Sequence, residues 1–160
     1  TTLNNNIIAQ FNITPTVKYI NIFEAYTDSI AIIFNSVFNS ILTKTNITDY
    51  FYTELLYISS LAHKILKHSG FNIPSDITDM TSTISLEQST SVFSYYILKC
   101  GILYNSDIVL QHFFPLYNIN WSKENIIDIV DMSFSGLNVI ADYKMTFPNS
   151  MQMTYNTLVY

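Results

Sequence analysis

The sequence predicts an all-α fold: a single-domain bundle of about five to seven helices, built from a duplicated helix–turn–helix unit and followed by an extended or β-like C-terminal arm. Three observations carry this expectation. Apolar residues recur at steps of three and four through most of the chain. Helix start and stop residues bracket the apolar stretches. The segment VFSYYILKCGILYNSDIVLQHFF, from Val92 to Phe114, also repeats the frame of VFNSILTKTNI, Val37 to Ile47, fifty-five positions earlier. Val37 and Val92, Phe38 and Phe93, Lys44 and Lys99, and Ile47 and Ile102 match directly.

In order, residues 1–14 form a polar, Asn-rich lead-in. Thr14-Pro15 supplies a helix start. Phe23, Tyr26, Ile30, Ile33, Val37 and Ile41 then mark one apolar face of a long helix, which Asn35, Ser36, Asn39 and Ser40 are expected to divide. Thr48 or Asp49 caps a second helix with Phe51, Leu55, Ile58, Ala62 and Ile65 on one face. Lys64, Lys67 and His68 complement its C-terminal dipole, and Gly70 stops it. Phe71 to Ile84 is a linker in which Pro74-Ser75-Asp76 starts a short turn.

Ser85 and Gln88 form a capping box before the helix of Val92, Phe93, Tyr96, Ile97 and Cys100, which Gly101 ends. Asn105 caps the next helix, through Ile108, Val109 and Phe113, and Pro115 stops it. Ser122 caps a further helix with Ile126, Ile127, Val130 and Phe134, stopped at Gly136. The helical bundle thus spans 15–142, with unit one about 17–73 and unit two about 85–140, and 143–160 is the C-terminal arm.

Nearly half of the residues are hydrophobic and only 12% are charged, which marks a folded chain rather than a disordered one. All seven basic residues are lysines, and the net charge is −5. Lacking arginine, the chain has no bidentate phosphate grip, and its acidic balance argues against nucleic acid. The apolar runs are too short to span a membrane. The start at Thr1-Thr2 suggests a processed or excised piece. Sequons at Asn12, Asn46 and Asn120 are compatible with secretion.

Motifs for catalysis are missing: there is no G-x-S-x-G, phosphate-binding loop or C-x-x-C. His63 and His68 are five apart, which separates them by about 140° around a helix and suits no shared metal. His112 stands apart in sequence. Asp76/Asp79 and Asp128/Asp131 read as solvated pairs rather than an acid–base couple. The expectation is therefore a non-enzyme without cofactor or metal. Cys100 reads as a buried thiol serving as a small apolar residue or, in a secreted protein, as an interchain disulfide. Twelve tyrosines and eleven phenylalanines suit core packing and also protein–protein contact.

The unit VFSYYILKCGILYNSD, followed by an amphipathic helix and SGLNVIADY, resembles the repetitive helical domains of spider silk proteins of the aciniform and tubuliform types. Phe93, Gly101, Leu103 and Asn105 fit the first part of that pattern, and Ser59 to Asp76 resembles the end of the preceding unit. The chain is rich in Ile, Asn and Tyr where those domains are rich in Ala, Gly and Ser. The resemblance implies a secreted, non-catalytic structural module that is stored as soluble helices and self-associates at high concentration into a fibre or glue. Asn120-Trp121-Ser122-Lys123 is similar to the Asn-Trp-Gly-Arg signature of Bcl-2 family proteins, with Ser122 and Lys123 in place of Gly and Arg. That likeness implies a regulator, in a host-cell cytoplasm if viral, whose groove takes an amphipathic partner helix near Trp121 and Lys123.

Overall fold

The computed structural model describes residues 9, 11, 13, 20–72, 76–77, 79, 81–86 and 91–107. These are mostly helical and contain no strand, so the described part of the fold is all-α. Helix α1 spans Ile22–Thr43 and α2 spans Ile47–His68. A wide π-helical turn at Phe93–Leu98 runs directly into α3, Lys99–Tyr104. The three pack on one another around a shared core. The remainder of the expected bundle to 142 and the 143–160 arm lie outside the described residues.

Asn21 caps α1, its side-chain oxygen accepting from the Glu24 N–H at 3.3 Å. The expected start at Thr14-Pro15 falls outside the described residues. The helix is not divided at Asn35, Ser36, Asn39 and Ser40. Ser36 Oγ donates to the Ile32 carbonyl at 3.0 Å and Ser40 Oγ to Val37 at 2.8 Å, while Asn39 Nδ2 donates to Asn35 Oδ1 at 3.2 Å. Polar side chains that bond back onto their own helix leave the backbone ladder intact. The stop comes instead at Lys44, which takes the left-handed conformation at φ 56°. Its N–H bonds to Ile41 and that of Thr45 to Ser40, which together close the last turn as a Schellman motif.

Asn46, rather than Thr48 or Asp49, caps α2. Its Oδ1 accepts from the Thr48 N–H at 3.0 Å and the Thr48 hydroxyl at 2.5 Å. Lys67 and His68 occupy the last turn, and Gly70 at φ +96° provides the anticipated stop.

The lead-in and linker are more than spacers. Phe11 and Ile13 are buried, the Phe11 ring lies 5.4 Å from that of Phe93, and Ile13 forms an isolated parallel bridge with Leu86. Phe71 and Ile77 are also buried. Because Leu86 is extended in that bridge, Ser85 does not open the helix; among the described residues of this stretch the helical run begins at Val92, after a bend at Ser91. Nor does Gly101 end it. Gly101 is buried inside α3, which runs on to Tyr104, and the Asn105 N–H and side-chain amide both bond to the Gly101 carbonyl.

Candidate interaction surface

Helix α1 is apolar on the side that faces water. At 100° per residue, Ala25, Ser29, Ile32, Ser36 and Asn39 share an arc of about 80°, and all five are buried. Phe23, Phe34, Phe38 and Ile41 fall within about 60° on the opposite side. These stay exposed by 69%, 43%, 56% and 65%, with Leu42 beside them at 62%. The apolar face expected from periodicity is therefore displaced. Tyr26, Ile30 and Ile33 flank the core half-buried, whereas Phe23 and Ile41 point away from it.

The inner face is small for a packing reason. Bulky residues from the other elements, including Tyr57, Leu61, Phe93 and Ile97, fill the core against which α1 lies, so Ala and Ser allow close approach. The buried hydroxyls cost little because each is satisfied locally: Ser29 donates to the Ala25 carbonyl at 2.7 Å and Ser36 to Ile32. With its serines satisfied inside, α1 leaves its phenylalanines outside. The exposed row continues past the turn at Ile47, and Tyr52 is half exposed on α2. Between α1 and α2, Ile33, Ser36, Ile47, Thr48, Phe51 and Ser106 line a cleft of about 190 Å³, mostly apolar and open to solvent.

A second feature was not legible in the sequence. Lys99 is fully buried, with Nζ 3.5 Å from Asp28 Oδ2 on α1 and 5.8 Å from the centre of the Tyr96 ring. Glu54 of α2 is also fully buried and its charge favours the ammonium. Burial nevertheless dominates and holds the Lys99 pKa below the ordinary lysine value, against the pull of Asp28 and Glu54. On the surface beside it, Tyr95 donates its hydroxyl to Glu24 at 2.6 Å, which raises the Tyr95 pKa. This cluster joins α1 to the π-helical turn and α3, and its closed position suits structure rather than chemistry.

Cys100 is free and fully buried, 3.4 Å from the Ser59 hydroxyl, and burial pushes its thiol up to about 12. A bridge to another chain would require this part of the core to open. Asn46 is exposed, but its side chain is engaged as the α2 cap. His63 is half-buried, with Nδ1 enclosed and unbonded, while His68 is exposed. Asp76 accepts from the Asn72 N–H, and Asp79 accepts from the Thr81 N–H and hydroxyl, bonds that lower the Asp79 pKa. Each thus stabilises its own turn. Trp121, Lys123, Asn12, Asn120, His112 and the Asp128/Asp131 pair lie outside the described residues. Among those described, no three His, Cys, Asp or Glu side chains converge as metal ligands, and no helix is long and apolar enough to cross a membrane. Compared with known proteins, the chain matches no family model, no curated sequence and no solved structure.

Proposed function

We propose that this chain is a non-catalytic helical module that associates with further copies of itself through the outer face of α1. One observation carries the reading: Phe34, Phe38, Ile41 and Leu42 form an exposed apolar row in water, and Phe23 stands exposed on the same face near the start of the helix. With each aromatic side chain presenting ~200 Å² when fully exposed, the row offers on the order of 500 Å² of apolar surface. The largest apolar patch on a typical folded monomer is of about that size and is often functional. The aromatic-rich, weakly charged composition suits the same use. A secreted silk or glue module is one form of such self-association, and it rests on the sequence resemblance; the surface supports association as such.

The test is sedimentation of the full chain over a wide concentration range, beside Phe38→Glu. The native chain is expected to grow heavier with concentration. Phe38→Glu should remain monomeric with an unchanged unfolding midpoint in dilute solution, since Phe38 lies outside the core. A native chain that stays monomeric into the millimolar range would sink the reading. The cleft between Ile33, Ile47 and Phe51 favours a second reading, in which an apolar side chain from a partner's amphipathic helix enters it. Titration of such helices against a Phe51→Asp variant tests it: loss of a binding signal seen with the native chain is the expected result, and no signal with the native chain would dismiss it.

A further inference from the structure

The outer face of α1 is uneven along its length, and that unevenness specifies how two copies fit. Its first half presents small exposed residues, Thr27 and Ala31, after Phe23. Its second half presents Phe38, Ile41 and Leu42, with Phe34 between the two halves. The charges are divided in the same way. Glu24 lies near the start, and α1 ends at exposed Lys44 with no acidic residue in its last two turns.

We infer that two copies pair through α1 in antiparallel fashion, with Phe34 at the two-fold axis. This rests on the self-association reading above and assigns its geometry. Counting equal steps on either side of Phe34 sets Ile41 of one copy against Thr27 of the other, and brings Phe38 beside Ala31. Large side chains then fill the space left by small ones. The acidic start of each helix comes beside Lys44 of its partner, and the two helix dipoles oppose. A parallel, in-register pair would instead set Phe38 on Phe38, Glu24 on Glu24 and Lys44 on Lys44, crowding one end and repelling at both. The paired rows bury about 1,000 Å² in total, close to the lower limit for a specific interface. The dimer is therefore weak, and it forms at high concentration.

Cysteine placement decides the direction. Thr27→Cys and Ile41→Cys are prepared in the full chain, in which native Cys100 is enclosed and does not compete. Antiparallel pairing predicts that a mixture of the two variants forms a 27–41 disulfide under mild oxidation, at least about ten times faster than either variant links to itself. In the homotypic antiparallel pair, the two cysteines sit roughly 20 Å apart along the axis at 1.5 Å per residue. Charge reversal provides an independent readout. Lys44→Glu should weaken association about five-fold, as expected for two exposed charge contacts per dimer, and Glu24→Lys in the same chain should restore it. If homotypic links dominate, or if the native chain dimerises while neither the cross-link nor the charge swap follows this pattern, the antiparallel geometry is overturned and self-association stands. A native chain that never dimerises removes both.

Discussion

Val37–Ile47 and Val92–Ile102 share a spacing of residues and have opposite fates. Phe38 stands in water, while its counterpart Phe93 is fully buried against Phe11. Lys44 breaks its helix in a left-handed turn at the surface, while Lys99 continues its helix in the core beside Asp28. The difference lies in the surroundings of each segment. Phe11, Ile13 and Leu86 converge on the second segment, and α1 and α2 pack on it. In the first segment only Asn39 turns into the core, while Phe38, Ile41 and Leu42 face water. Similar words in a sequence thus acquire their meaning from neighbours, and the pattern of apolar residues alone does not distinguish inside from outside.

The sharpest way to break this contrast is to truncate both aromatics. Phe93→Ala should cost about 3–5 kcal/mol, the range for emptying a buried aromatic site. Phe38→Ala should change stability by less than about 0.5 kcal/mol, as at ordinary surface positions. Urea unfolding of dilute protein measures both, and equal losses would refute the assignment of inside and outside.

Next come the lysines. Lys99→Met removes the cation 3.5 Å from Asp28 and should cost about 2 kcal/mol, the scale of leaving one partner of a partly buried charge pair without the other. Pairing it with Asp28→Asn should recover most of that loss; no recovery would mean that the ammonium does not act through Asp28. Lys44→Gly should instead stabilise by ~1 kcal/mol, because glycine adopts the left-handed cap without strain.

Alkaline titration separates the second segment from the first more gently. The thiol of Cys100 ionises at about 12 when folded, against an ordinary 9, so the unfolded chain releases its proton first. Its contribution to stability is complete below pH 9 and is lost as pH rises toward 12. Lys99 acts in the opposite sense: its lowered pKa makes the folded state easier to hold as pH rises toward the ordinary lysine value, which offsets part of the loss. Cys100→Ala should therefore flatten the decline in unfolding free energy between pH 9 and 12. An unchanged slope would show the thiol to be more exposed than its enclosure indicates.

Much of the helical architecture was legible. The apolar steps marked α1 and α2, and Gly70 marked the α2 stop because a left-handed residue after a basic last turn has a recognisable chemistry. The face of α1 was not legible. The apolar steps pointed to Phe23, Tyr26, Ile30, Ile33, Val37 and Ile41 as the packed face, yet Ser29, Ser36 and Asn39 are buried, with both hydroxyls satisfied by the helix that carries them. The recurrence of small residues at Ala25, Ser29 and Ser36 was the available signal for a close-packed face. The stop at Lys44 was hidden because lysine carries no turn signature, and the core roles of Phe11 and Ile13 were hidden by their Asn-rich surroundings. The Lys99, Asp28 and Glu54 cluster brings together three distant parts of the chain, and no local spacing could announce it.

The wide turn at Phe93–Leu98 has a consequence at the level of the gene. Such a turn accommodates one residue more than an α-helix would use over the same length, as an inserted residue does. Removing a single codon there would let the ladder close as ordinary α-helix, and α3 would keep the face it presents now, because the wide turn already absorbs the extra residue. Lys99 would stay beside Asp28, and the change would fall within Phe93–Leu98 itself. One in-frame deletion, with no residue replaced, would thus be taken up at this turn without rewriting which side chains meet α1 and α2.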